Sequence, residues 1–268
     1  MSSAQVDSPW IWCDGEWIAE QDFCIHSADR GVLHGMGAFE TMRAENGVLC
    51  FAEQHLARFS AAVSILGLAK SDLSALSEIV SELCQRNGCQ RGIARVRLTA
   101  TAGSGPFDLS NEGKMARCWI SATPWHEAVN SVICGLLPWR KNNNSSITGI
   151  KSTSYAENIL ALRHAKQRGW NEGIFLTHAD QVSEAIMANV LILLGNEIVT
   201  PPLASACLPG IMRGVILANG LAKEMTLTYD DLIHADALWL SSALRGLVPV
   251  ERIDGVEKKQ KAFPFSLR

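Results

Sequence analysis

None of the eight cysteines (13, 24, 50, 84, 89, 118, 134 and 207) forms a C-x-x-C pair, and none has a histidine at zinc-ligand spacing. Neither a structural metal site nor a disulfide framework is therefore expected, and the thiols are read as reduced and mostly buried. No stretch approaches the roughly 18 apolar residues that a spanning helix needs. The first ten residues, through Trp10, lack the basic and apolar regions of a secretory signal, so a cytoplasmic protein is expected. Blocks of five or six like charges are also missing. A formal charge of -3, from 24 basic and 27 acidic residues, gives no general attraction to nucleic acid or an anionic membrane. Three families of motif are absent as well. There is no G-x-x-x-x-G-K-[ST], and neither Gly35-Met36-Gly37 nor Gly103-Ser104-Gly105 completes a G-x-G-x-x-G ahead of a helix. There is no G-x-S-x-G elbow, and the seven histidines form no H-E-x-x-H. A nucleotide-binding protein, a serine hydrolase and a zinc protease are thus disfavoured.

What is present is enough apolar residue to fill real cores: 47% hydrophobic against 19% charged over 268 residues, a length that makes two domains plausible. From Trp10 to Phe51 the chain reads as short strands broken at Asp14-Gly15, Asp29-Arg30-Gly31 and Asn46-Gly47, the last a hairpin signal. Leu56, Phe59, Val63 and Leu66 recur at helical spacing. So do Leu73, Leu76, Val80 and Leu83, behind a Ser71-Asp72 cap and ahead of Asn87-Gly88. Ile93 to Thr101 alternates, with Ile93, Val96, Leu98 and Ala100 apolar, and predicts a strand. Another follows at 117–122. Beyond Pro124 a second unit is predicted: a strand at 131–138, a polar loop from Lys141 to Ser146, a helix over 155–168, and strands at 173–178, 190–194 and 197–200. A helix opening at Ile211, a short helix at Asp230-Asp231 and strands at 237–242 and 248–253 complete it. The expected domains are a small α+β unit, 1–123, and a larger strand-rich unit, 124–268.

Lys151 carries the chemistry. It lies in Gly149-Ile150-Lys151-Ser152-Thr153-Ser154-Tyr155, and is followed by Glu184 and then by Leu208-Pro209-Gly210-Ile211-Met212-Arg213. An amine that can condense with an aldehyde, a carboxylate that can keep a ring nitrogen protonated, and a glycine-led helix start that can seat a phosphate are the three anchors that pyridoxal phosphate needs.

These residues, in this order, resemble the fold type IV pyridoxal-phosphate enzymes, which include branched-chain and D-amino-acid aminotransferases and 4-amino-4-deoxychorismate lyase. The resemblance covers almost the whole chain. Asp29-Arg30-Gly31 with Gly35 to Glu40 looks like the family's early strand signature, and His55-Leu56-Ala57-Arg58-Phe59 like the segment whose arginine holds the phosphate. Asn189 stands five residues after Glu184, and Pro249-Val250 with Asp254-Gly255 matches the closing motif. The resemblance implies a two-domain α/β (α+β) fold like that of the D-amino-acid aminotransferases, with the cofactor in the cleft between domains. It also implies a homodimer with pyridoxal 5'-phosphate as cofactor, an amino acid or aminodeoxychorismate as substrate, and no metal.

By that resemblance Lys151 condenses with the cofactor and acts as general base, and Glu184 pairs with the pyridine nitrogen. Arg58 and the amides of Ile211 and Met212 share the phosphate. Ser242 and Ala243 occupy the turn where relatives carry asparagine and a phosphate-binding threonine. Tyr155 is placed to donate to the phenolic oxygen, or else packs at a helix start. Phe39 is expected to border the substrate, a role it shares with that of a core aromatic. Arg97 is either a solvated strand residue or a clamp for a substrate carboxylate.

Gly-Ile-Met-Arg, with methionine where transaminases carry threonine, and Ser241 to Val250 lean toward the lyase, which releases pyruvate and 4-aminobenzoate in folate biosynthesis. A branched-chain transaminase is the alternative. A D-amino-acid transaminase is disfavoured, because Thr101 to Asp108 lacks the arginine and histidine that trap its substrate carboxylate. A cofactor-free homologue is disfavoured because lysine, glutamate and arginine are retained together.

Overall fold

The computed structural model describes residues 8–105, 116–126 and 130–264. Phe107 and Asp108, part of the loop used to argue against a D-amino-acid enzyme, lie outside those residues. By internal contacts the chain forms two units, Met1–His126 with Lys151–Ser154, and Glu127–Ile150 with Tyr155–Arg268.

The first unit runs β1 (Trp10–Cys13), β2 (Glu16–Ala19), α1 (Arg30–His34), β3 (Gly37–Glu45), β4 (Val48–Leu49), α2 (Ala52–Ile65), α3 (Leu76–Arg86), β5 (Ile93–Thr101) and β6 (Arg117–Trp125). Its six strands make one sheet in the order β2-β1-β6-β5-β3-β4. Every pairing is antiparallel. Alternation in β5 buries Ala94, Val96, Leu98 and Ala100 on one face. The apolar stripe of α3, Leu76, Val80, Leu83 and Cys84, is buried against β1, β4 and β6. The Asn46-Gly47 turn joins β3 and β4 with both residues at positive φ, 51° and 79°, the backbone a two-residue hairpin requires. The sequence reading has no helix at Arg30–His34. A single turn is too short to display periodicity, and Asp29 starts it by accepting a hydrogen bond from the Gly31 amide at 2.7 Å.

The Lys151 segment belongs by contacts to this first unit, whereas the sequence reading assigns it to the larger C-terminal domain. The reason is backbone pairing along β3. The Phe39 amide donates to the Lys151 carbonyl at 2.9 Å, and the Thr153 amide donates to the Gly37 carbonyl at 2.9 Å. The hydroxyls of Ser152, Thr153 and Ser154 converge on the Gly35 carbonyl at 3.4, 3.0 and 3.2 Å. Such approach needs glycine: a Cβ on Gly37 would stand 2.6 Å from the Ala100 carbonyl oxygen and 2.8 Å from Thr153 Oγ1.

The second unit runs β7 (Val132–Lys141), α4 (Ala156–Gln167), β8 (Glu172–Thr177), β9 (Val182–Ala185), β10 (Asn189–Leu194), β11 (Glu197–Thr200), α5 (Ile211–Ala218), β12 (Lys223–Glu224), α6 (Tyr229–His234), β13 (Ala237–Ser242), β14 (Gly246–Ile253) and β15 (Val256–Glu257). Eight strands follow the order β12-β11-β10-β13-β14-β7-β8-β9, with β15 added beside β14. The sheet is mixed, because β7 runs parallel to both β14 and β8. Its core gathers Val190, Ile192, Leu238, Leu240, Val248 and Val250 with Leu227 and Leu232. A smaller cluster under α4 joins Leu137, Phe175 and Ile186 to Ala161 and Ala165. Among the described residues, no helix is long and apolar enough to cross a membrane, and no group of three His, Cys, Asp or Glu could hold a metal ion.

Candidate active site

In the first unit, β3 carries Phe39 into the interior, where it is 3% exposed. Above its ring sit two cations: the Arg97 guanidinium carbon at 3.8 Å from the centroid and the Lys151 Nζ at 4.5 Å. Arg97 is therefore a half-buried residue stacked on an aromatic, not a member of a solvated strand face. It shares its platform with the lysine amine.

Arg58 projects from α2 with 11% of its side chain exposed. Its Nε donates to Glu40 Oε1 at 2.7 Å and its Nη2 to Oε2 at 2.5 Å, while His55 Nδ1 lies 2.8 Å from Oε2. This forked pair fixes the plane of the guanidinium and occupies two of its five donors. Burial alone would push the Glu40 carboxyl up. The hydrogen bonds from His55 and Arg58, with their charges, reverse that and hold it below the ordinary glutamate value.

In the second unit, β9 carries Glu184, whose side chain is 12% exposed. Its Oε2 accepts a hydrogen bond from the Leu208 amide at 2.9 Å, and Lys141 Nζ lies 3.4 Å from its Oε1. Asn189, at the start of β10, donates through Nδ2 to the Leu208 carbonyl at 2.9 Å. Thus Glu184 and Asn189 grip opposite sides of one residue, and that residue leads into Gly210 and α5. Gly210 has to be glycine here because a Cβ would collide with Asn189 Oδ1. The loop so pinned presents the first turn of α5, where the Ile211 and Met212 side chains are buried and their amides begin the helix. Arg213, next in the motif, turns inward instead, donating to the Pro201 carbonyl at 2.8 Å and pairing with Glu224. It is structural.

Ser242 ends β13, and its Oγ accepts from the Arg245 amide at 3.2 Å, closing the turn that contains Ala243. Tyr155 caps the start of α4, with its hydroxyl donating to the Ile186 carbonyl at 3.3 Å.

Glu40 and His55, which the sequence reading includes only as members of motifs, surround Arg58, and three further charged residues escape it: Lys141 beside Glu184, and a buried pair, Glu172 and Arg245. Lys141 is expected in a polar loop, but β7 continues through it. Glu172 is fully buried, with Arg245 Nη1 3.5 Å from its Oε1. The amides of Ile186 and Met187 face its carboxyl without reaching hydrogen-bond geometry. Burial, against the pull of Arg245 and aided by the charge of Glu184, pushes the Glu172 carboxyl up to about 7.

A partly buried amine, a carboxylate held by a backbone amide and a glycine-pinned helix start suit an aldehyde, a ring nitrogen and a phosphate respectively. These are the groups of pyridoxal phosphate, and the donor set fits it.

The comparisons with known proteins agree with this chemistry. The chain belongs to the amino-transferase class IV family, whose sequence profile matches residues 37–253. Members of this family are pyridoxal-phosphate-dependent aminotransferases and lyases. The aminodeoxychorismate lyase of Bacillus subtilis is 28% identical over 262 residues, 92% of this chain and 87% of the relative. The branched-chain-amino-acid aminotransferase of Salmonella typhimurium is 26% identical over 275 residues, 96% of this chain and 88% of the relative. Among solved structures, the branched-chain aminotransferase of Thermoproteus uzoniensis with norvaline superposes with a TM-score of 0.89 at 26% identity, covering 95% of this chain and 90% of that one.

Proposed function

We propose that this protein is a pyridoxal-phosphate-dependent 4-amino-4-deoxychorismate lyase, releasing pyruvate and 4-aminobenzoate, and acting as a cytoplasmic homodimer in folate biosynthesis. The observation that carries the reading is the shared platform of Phe39, with the Arg97 guanidinium 3.8 Å and the Lys151 Nζ 4.5 Å from one ring centroid. A cation over the same ring as the reacting amine suits a substrate bearing carboxylates on both its ring and its enolpyruvyl arm.

When bound, pyridoxal phosphate supplies an aldehyde for the lysine amine and a protonated ring that accepts electron density from the carbon losing its proton. Glu184 keeps that ring nitrogen protonated through its carboxylate. Arg58, oriented by Glu40, holds the phosphate together with the amides of Ile211 and Met212 and the turn of Ser242 and Ala243. Tyr155 would donate to the phenolic oxygen by turning its one hydroxyl proton away from the Ile186 carbonyl, to which it otherwise donates. Phe39 borders the substrate, and Arg97 clamps a carboxylate. Lys151 takes the proton from the amine-bearing carbon of the substrate. The C–O bond to the enolpyruvyl group then breaks, and the departing enolate gains a proton to become pyruvate. No water and no redox partner is consumed, and aromatisation drives the step.

The similarity to the Salmonella and Thermoproteus enzymes supports a branched-chain transaminase as the second reading. One pair of assays separates the two. The yellow enzyme is incubated with 4-amino-4-deoxychorismate, and separately with branched-chain amino acids plus 2-oxoglutarate. Pyruvate with 4-aminobenzoate in the first tube and no glutamate in the second is expected, and the reverse pattern replaces the lyase with the transaminase. Glu184→Gln should cripple either reaction by about 100-fold or more while sparing aldehyde capture at Lys151.

A further inference from the structure

Lys141 ends β7 with 16% of its side chain exposed, an unusual position for a lysine at the polar end of a strand. Its stem and head are confined on three sides. Nζ lies 4.7 Å from the ring centroid of Phe175, which is fully buried, 3.4 Å from Glu184 Oε1 and 3.8 Å from Glu157 Oε2. Glu157, on α4, is 53% exposed and screened by solvent, so Glu184 is the partner that matters. With the Leu208 amide on Oε2 and Lys141 on Oε1, both oxygens of Glu184 are engaged and the plane of the carboxylate is set.

Two further titratable groups interact with Glu184. Glu172 of β8 contributes a second, wholly buried carboxyl that disfavours a charge on Glu184, and Cys207, just ahead of α5, contributes a thiol that burial pushes up to about 11 and so keeps neutral. Arg245 compensates Glu172. Lys141 sets a cation 3.4 Å from Glu184 Oε1, and removing it would raise the cost of keeping that mostly buried carboxylate charged.

We propose that Lys141 is a positioning residue that keeps Glu184 ionised and aimed, so that the proton this carboxylate shares with the cofactor's ring nitrogen stays on the nitrogen. Moving the proton from carboxylate to ring carries positive charge away from the nearby ammonium, and the ammonium thereby favours the ionic form. The inference rests on the proposed role of Glu184 as partner of the ring nitrogen. A structural salt bridge of the same geometry would add stability without this consequence.

The test is a titration of the full chain labelled with 13C at glutamate side-chain carboxyls, the Glu184 resonance being identified by its loss in Glu184→Gln. Lys141→Met is expected to raise the Glu184 midpoint by about one pH unit or more. Lys141→Arg should restore it, and Glu157→Gln should leave it unmoved. An unchanged midpoint in Lys141→Met overturns the proposal. If that variant does not fold, Lys141→Gln is titrated in its place, and an unmoved Glu184 midpoint there overturns the proposal equally. Borohydride reduction and mass spectrometry at Lys151 are run on the same samples. A missing adduct there defeats the proposed function while the titration still decides Lys141, and an adduct with an unmoved midpoint defeats Lys141 alone.

Discussion

Glu40 illustrates how one residue ties stability to the site. It lies inside β3 with 1% of its surface exposed, and its carboxylate receives Arg58 and His55. A charge so buried is tolerable only while its partners remain, and removing one side of such a pair typically costs about 3–5 kcal/mol. Because the folded carboxyl lies below its ordinary value of 4.5, its contribution is present above that pH and is lost as pH falls through the folded value. Glu40→Gln should therefore destabilise the protein by roughly 3 kcal/mol at pH 7 and flatten the acid limb of its stability curve below pH 4.5. Urea unfolding at pH 7 and pH 4 checks both parts. If Arg58 holds the phosphate as proposed, its release from the forked partner should also make the variant bind pyridoxal phosphate less tightly than the parent. Equal affinity would mean that Glu40 orients nothing.

At the scale of elements, β8 and the β13–β14 turn are joined by Glu172 and Arg245, a contact across 73 positions of sequence. The Glu172 carboxyl is raised in the fold from 4.5 to about 7, so its share of stability is complete below pH 4.5 and declines as pH rises through 7. A shift of that size corresponds to about 3 kcal/mol. Relative to Glu172→Gln, the parent protein should lose about that much between pH 4.5 and pH 8, measured by unfolding at each pH. Parallel curves for the two proteins would refute it. This pair also marks the limit of what the sequence discloses. Periodicity reveals α2 and α3, and turn chemistry reveals the Asn46-Gly47 hairpin, because those signals are local. The four residues of β9 show no alternation, α1 is one turn long, and the polar end of β7 reads as loop. The polar end of β7 is held by pairing with β8, distant in sequence. The proposed anchors Lys151, Glu184 and Gly210 can be picked out of the sequence because a glycine-rich segment and a helix start are local features. The charged partners of Glu184 and Arg58, namely Lys141, Glu172 and Glu40, are not, because a salt bridge has no spacing rule outside a helix.

For the whole molecule, holding a cofactor has a thermodynamic consequence independent of which reaction is catalysed. A ligand that binds only the folded chain stabilises it by RT ln(1 + [L]/Kd), about 2.7 kcal/mol when present at 100 times its dissociation constant. For a chain of this size each kcal/mol moves the midpoint of thermal unfolding by about 2–4 °C. Stripping pyridoxal phosphate should therefore lower the midpoint by roughly 5–10 °C, and adding it back should restore the loss. Lys151→Ala separates two parts of that gain. On the proposed function the amine would supply the covalent attachment, whereas the other proposed cofactor-holding residues would supply ionic and hydrogen-bonded contacts that do not require it. The variant should keep a smaller, concentration-dependent shift, read by scanning calorimetry across a series of cofactor concentrations. If Lys151→Ala instead shows the full shift of the parent, the aldehyde is not held at Lys151, and the assignment of that amine falls while the anion-holding residues retain theirs.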